Sequence, residues 1–146
     1  MSLDDLYREV ILDHYRTPRH KHGLDDAQID VHRHNPLCGD DLTVRIALAE
    51  DGSAREVAFE GQGCSISQAS ASMMTDVMTG KSMLEIEDLL LKFRRMMAGE
   101  EGLSDDELGD LVALKGVVKY PVRIKCAVLA WDALQEGVQT YSNRDA

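Results

Sequence analysis

No run of about 18 apolar residues occurs anywhere in the 146-residue chain, which excludes a membrane-spanning helix by hydropathy. Cysteine is scarce: there are 3, and an odd count fits no self-contained disulfide framework. Reduced thiols in the cytoplasm are the expectation instead. Positive charge is scarce too, with 16 Lys and Arg against 26 Asp and Glu, for a net charge of -10. Phosphate binding needs clustered Lys and Arg, so nucleic acid is not expected as a partner. An acidic surface suits a basic protein partner, or solubility alone. The opening Met1-Ser2-Leu3-Asp4-Asp5 lacks an apolar signal core, so export is not expected. No internal repeat, low-complexity tract or C-x-x-C pair is present.

What is present is 44% hydrophobic content, enough for one domain spanning residues 1–146 with its own core. Leu3, Leu6, Tyr7, Val10, Ile11 and Tyr15 recur at helical spacing and predict a helix over 3–16, ended by Thr17-Pro18. A polar loop over 19–26 carries His20 and His22, either metal ligands or loop histidines with no role. A first strand is expected over 28–34. Leu42 to Ala49 alternates clearly and predicts a second. Asp51-Gly52 signals a hairpin, and Glu56 to Phe59 returns as a third strand, broken by Gly61-Gln62-Gly63. Helices follow over Ser65–Thr79 and Met83–Met97. An acidic, glycine-bearing connection and a short helix near Leu108–Leu114 occupy about 98–115. A last helix starts at Tyr120-Pro121, where a proline's missing N–H costs little.

The chemistry gathers at Pro36-Leu37-Cys38-Gly39-Asp40, a turn that places a thiol two residues from a carboxylate. Cys64 and Cys126 each fall near an expected helix start. A helix start favours negative charge, and the thiolate is the form that binds metal. Three thiols and one carboxylate supply four ligands, the number a tetrahedral Zn²⁺ takes, if the fold brings them together. Taken singly, each cysteine also reads as ordinary core. That alternative is weakest at Cys64, where Gly63 clears space, and weak at Cys38, whose turn is polar.

Three segments carry a resemblance. They are Asn35-Pro36-Leu37-Cys38-Gly39-Asp40, the run from Gly63-Cys64-Ser65 to Ser72, and Arg123-Ile124-Lys125-Cys126 through Trp131. In order and context they resemble the three cysteine motifs of the IscU/NifU-type iron–sulfur assembly family. Cys64 and Cys126 are separated by 61 residues (65 to 125), a longer stretch than in the family's cluster scaffolds. Lys125 stands where the scaffolds carry a histidine, and Tyr120-Pro121-Val122 replaces a Pro-Pro segment. These departures, with Arg123 and Trp131, make the chain similar to the SufU branch.

The resemblance implies an α+β fold: a small antiparallel three-stranded sheet with helices packed on one face. It implies that Cys38, Asp40, Cys64 and Cys126 are zinc ligands and that Cys38 accepts sulfur. The implied partner is a pyridoxal-phosphate cysteine desulfurase of the SufS type, with a SufBCD-type scaffold downstream. The implied role is a zinc-dependent sulfurtransferase. Two alternatives stand beside it. One is an iron–sulfur scaffold holding a transient cluster on the same ligands, with His32 or His34 contributing. The other is a purely structural zinc module, against which the carboxylate argues, because closed structural sites use Cys and His. Arg123 precedes Cys126 by three residues, nearly the same helix face one turn earlier. It reads either as a solvated charge or as a guanidinium steadying Asp40 or a departing Cys38 thiolate.

Overall fold

Local signals set the helix ends. Ser2 caps helix α1 (Leu3–Arg16): its hydroxyl accepts from the Asp5 amide at 3.2 Å, and the Asp5 carboxylate accepts from the Ser2 amide at 3.3 Å. Ser82 and Glu85 repeat this reciprocal cap on α3 (Met83–Met97). The Ser82 amide, and then its hydroxyl, hold the Glu85 carboxyl below the usual carboxylate range. The computed structural model describes residues 2–37, 39–100 and 108–144. Two further α-helices among the described residues are α2 (Ser65–Met78) and α4 (Pro121–Arg144). No helix among the described residues is long and apolar enough to cross a membrane.

Strands β1 (Ile29–Asn35), β2 (Asp40–Leu48) and β3 (Ala54–Gln62) form one antiparallel sheet in the order β1-β2-β3. The two-residue period decides its faces. Leu42, Val44 and Ile46 are fully buried on the face that α2 and α4 cover. On the opposite face Arg45 pairs with Asp30 at 2.9 Å and Glu60 at 2.6 Å, neighbours on the flanking strands. The expected α+β architecture is therefore present.

The strands shift or lengthen by one to three residues at their ends, and two differences from the sequence expectation have a particular physical reason. The third strand does not break at Gly61 but runs to Gln62. Gly61 pairs with Leu42, and a Cβ there would stand 1.9 Å from the Asp41 carbonyl oxygen, so the glycine lets the ladder continue by close approach. The short helix expected at Leu108–Leu114 is a 3-10 helix over Gly109–Lys119. Leu111, Leu114 and Val117 recur every third residue and are buried, which matches the three-residue turn. Residues 101–107 of the acidic connection lie outside the described residues.

Helix α2 is the hub. Ten of its 14 residues are buried, and it contacts α1, α4, β3 and the 3-10 helix. Its run of Ala and Ser permits that close packing. Buried His14 on α1 joins three elements, contacting Ser72 of α2 through Nδ1 and Asp110 of the 3-10 helix through Nε2, each at 2.8 Å. The Ser72 hydroxyl oxygen also accepts from the Arg19 amide, which leaves its proton for His14 Nδ1. Phe93 of α3 stacks on Trp131 of α4, ring centroids 3.8 Å apart. At the sheet edges, the loop after α1 covers part of β3: Phe59 N donates to the His20 carbonyl, and Lys21 bridges Phe59. The outer side of β1 pairs with no strand among the described residues.

Gly137 sets the approach of α4 to β1. A Cβ there would lie 2.4 Å from Ile29 Cγ2 and 3.1 Å from Val31 Cγ2. In an open helix, Gly→Ala gains roughly 1 kcal/mol. Here overpacking against two stiff β-branched side chains opposes that gain with about 1–3 kcal/mol. Gly137→Ala is expected to lower the melting temperature by several degrees in thermal unfolding followed by circular dichroism.

Candidate metal centre

The first ligand comes from the hairpin between β1 and β2. Asn35 and Asp40 pair across its mouth, and the Gly39 amide closes the turn on the Asn35 carbonyl at 2.9 Å. Gly39 has φ 69°, a left-handed angle that a side chain disfavours. The Asn35 side chain accepts from the Leu37 amide at 3.1 Å, a local Asx turn. This frame turns Asp40 inward, where it is fully buried. Its Oδ1 accepts from the Cys64 amide at 2.9 Å and from the Ser67 hydroxyl at 3.1 Å. Its Oδ2 is buried with no hydrogen-bond partner.

Cys64 is the N-cap residue of α2, but its side chain makes no capping hydrogen bond. The Asp40 carboxylate takes over that task from another strand, favoured by the positive end of the helix. Gly63 makes this possible: a Cβ there would stand 2.4 Å from both Asp40 Oδ1 and Ser67 Oγ. Cys126 is buried in the second turn of α4. A hydroxyl clasp fixes α4 against α2 beside it. Ser70 donates to the Ala127 carbonyl at 2.6 Å and accepts from Trp131 Nε1 at 3.0 Å.

Ligand atoms of Asp40, Cys64 and Cys126 all lie within 4.8 Å of one another. An isolated buried carboxylate with one bare oxygen is costly unless a cation or proton compensates it. With two sulfurs beside it, the carboxylate completes a donor set suited to Zn²⁺ or another thiolate-seeking divalent ion. The residues present therefore fit a metal.

Of the expected ligands, the fold thus brings Asp40, Cys64 and Cys126 together. Cys38 lies outside the described residues, between Leu37 and Gly39 of the same hairpin loop. Arg123 stands exposed in the first turn of α4, on the rim of a groove that also includes Ser65 and Ile66, and supplies neither hydrogen bond to Asp40. His32 is exposed and pairs with Asp41 at 2.6 Å, and neither it nor His34 joins the three-ligand group. Ser67 and Ser70 were not read from the sequence as site residues. Ser67 had a local signal, standing three residues after a helix-starting Cys64. Ser70 had none, because its partners lie 57 and 61 positions away.

Residues 6–127 match the family described as NifU-like N terminal domain. The chain belongs to that family. It is 50% identical over 138 residues to the zinc-dependent sulfurtransferase SufU of Bacillus subtilis (strain 168), covering 94% of this chain and 92% of the relative. It is 43% identical over 142 residues to the iron-sulfur cluster assembly scaffold protein IscU of Streptococcus pyogenes serotype M1, covering 97% and 88%. A solved structure of a putative iron-sulfur cluster assembly scaffold protein for the SUF system, from Fervidobacterium islandicum AW-1, superposes with a TM-score of 0.84. It is 29% identical, over 94% of this chain and 99% of that one. The recognised IscU/NifU-type resemblance and the fold both stand on these matches.

Gly63→Ala tests the site without removing a ligand. Its methyl group displaces the Asp40 carboxylate, so zinc content per chain in elemental analysis is expected to fall well below wild type. Metal binding that ties a hairpin to two helices is folding energy. A chelator is therefore expected to lower the wild-type melting temperature and to leave that of Gly63→Ala nearly unchanged.

Proposed function

We propose that this protein is a zinc-dependent sulfur acceptor in iron–sulfur cluster assembly, taking sulfur from a SufS-type cysteine desulfurase. The observation that carries the reading is the buried Asp40 carboxylate, bare on one oxygen, grouped with Cys64 and Cys126 and two residues after Cys38 in sequence. Asp40, Cys64, Cys126 and Cys38 would hold the metal. When bound, Zn²⁺ keeps thiols deprotonated and compensates the buried carboxylate.

The rest is the work of this chain's own residues. Asp40, Cys64 and Cys126 stand on β2, α2 and α4, three rigid elements, and form the permanent part of the site. Cys38 lies in sequence between Leu37 and Gly39 of the hairpin loop, and it is the ligand that leaves in this reading. As a thiolate it attacks the sulfane sulfur of the desulfurase persulfide. The donor S–S bond breaks, the donor cysteine departs as a thiolate, and Cys38 carries the new persulfide. No oxidant is needed, since one S–S bond replaces another.

Exposed apolar side chains support a protein partner at this place. Leu37 is 72% exposed, Val122 64% and Tyr120 60%, and Leu37 and Val122 line one shallow pocket with Pro121 and Lys125. A groove of ≈ 760 Å³ runs from there past Ser65 and Ile66 to Tyr7 and Ile11. A desulfurase offering a persulfide has to seat beside the Cys38 loop, and these side chains form a continuous surface for it. The reading puts the protein in the cytoplasm, where thiols stay reduced. The IscU name of the Streptococcus pyogenes relative supports a second reading, a scaffold holding a transient cluster on the same ligands. Freshly purified protein separates them: colourless with one zinc for the first, brown with iron and sulfide for the second.

Cys38→Ala is expected to retain zinc and fold while losing stimulation of the desulfurase. Cys64→Ala and Cys126→Ala are expected to lose both. The check is zinc content and desulfurase turnover on the same preparations, and normal stimulation by Cys38→Ala would overturn the acceptor assignment.

Arg123 is proposed as a positioning residue on the rim of the site, where a guanidinium steadies an anionic thiolate as it leaves the metal. Arg123→Ala is expected to keep zinc and lose most sulfur transfer, with Lys rescuing only part. Full transfer by Arg123→Ala would return it to the role of a surface charge.

A further inference from the structure

A second group of ligating side chains lies far from the thiols. His20, His22 and Glu56 each offer one atom within 4.8 Å of the others. Glu56 pairs with Ala47 at one end of β3, whereas Gln62 pairs with Asp41 beside the thiol site at the other. Six residues of strand at about 3.3 Å each separate the two places by roughly 20 Å.

The loop that carries the histidines is held against β3. Phe59 N donates to the His20 carbonyl at 3.0 Å, and Lys21 bridges Phe59 in parallel fashion. Lys21 turns to α2, its ammonium 2.8 Å from Gln68 Oε1, while His20 and His22 on either side meet Glu56. His20 has φ 55°, which makes it the non-glycine residue held in the left-handed region among those described. Such a conformation disfavours a side chain and persists where its surroundings impose it.

The hydrogen bonding leaves room for a cation. His22 Nδ1 lies 2.9 Å from the Gly23 carbonyl oxygen, which only accepts, so Nδ1 carries a proton. Metal-bound histidines are commonly fixed this way, through a backbone carbonyl on the far nitrogen. In the neutral ring, Nε2 then aims a lone pair at Glu56 Oε1, 2.9 Å away. Two lone pairs face each other unless a proton or a metal ion sits between them. His20 Nδ1 lies 3.6 Å from the same carboxylate oxygen, too far for a hydrogen bond. Two atoms bound about 2.0 Å from one tetrahedral ion stand about 3.3 Å apart, and the two observed distances straddle that value. The side chains are 27%, 48% and 26% exposed for His20, His22 and Glu56, so an ion can reach them. Asp76, 4.0 Å from His20 Nε2, adds a second negative charge at the border.

We propose that His20, His22 and Glu56 form a second, independent site for a divalent transition ion of the zinc class, with open coordination positions. Two imidazoles and one carboxylate are a zinc donor set that leaves a position for water or another ligand. The site holds the loop after α1 to β3, so its occupancy adds stability apart from the thiol site.

The test is calorimetric titration of Zn²⁺ into protein already carrying one zinc at the thiols, with imidazole resonances followed by NMR. A second equivalent is expected, shifting the His20 and His22 ring signals and not those of His32. His22→Ala and Glu56→Gln should each weaken it by well over the roughly tenfold that loss of a supporting partner causes, while retaining the first zinc. Ring signals of His20 and His22 that do not move with added Zn²⁺ would overturn the proposal and leave an imidazolium–carboxylate pair. A second equivalent that persists undiminished in both variants would overturn it by locating that ion elsewhere.

Discussion

The buried carboxylate of Asp40 is the constraint on which the rest of the site depends. A carboxylate fully removed from water needs compensation at both oxygens. One oxygen receives a backbone amide and a hydroxyl from the start of α2, the other is buried without a hydrogen-bond partner, and the carboxylate lies within 4.8 Å of the Cys64 and Cys126 sulfurs. The first arrangement locks the hairpin to the helix whether or not a metal is bound. The second leaves a demand that a hydrogen-bond donor, a proton or a cation can meet. Structure and chemistry therefore meet in one side chain, which fastens β2 to α2 and offers a hard oxygen beside two soft sulfurs.

Around that carboxylate, each supporting contact solves a local problem. Gly63 admits the carboxylate to the helix end. Ser70 satisfies the Trp131 indole and braces the Ala127 carbonyl, so that the turn of α4 bearing Cys126 cannot slide along α2. Helix α2 is buried over most of its surface, which gives the cluster a fixed base. In the hairpin loop before Asp40, Leu37 is exposed. The proposed transfer asks for ligands of both kinds, some held by rigid elements and one that can depart.

Much of this was legible in the sequence because the signals were short-range. Alternation at Leu42, Val44 and Ile46 marked β2, Asp51-Gly52 its turn, and Thr17-Pro18 the end of α1. The cysteine contexts marked Asp40, Cys64 and Cys126. What escaped was set by contacts between distant positions. Gly61 looked like a strand breaker, and only its approach to the Asp41 carbonyl shows why the ladder runs through it. The 3-10 helix was taken for a shorter helix because Leu108 to Leu114 carries only part of its three-residue repeat. His14 gave no local sign of its role, since its partners lie 58 and 96 residues away. The His20–His22 pair was visible, but its carboxylate lies more than 30 positions along the chain, on β3.

The two edges of the sheet are unlike. On β3 the chain's own loop supplies the next hydrogen bonds. On β1 the outward amides and carbonyls of Ile29–Asn35 are a ready template for a strand from another molecule. That strand would have to lie beside Asp30, His32, Arg33 and His34 and strip water from them. Desolvating charge is costly and backbone pairing returns little in water, so these side chains oppose the addition of a strand there. On this side a fourth strand is opposed by the chemistry of the β1 side chains rather than by shape.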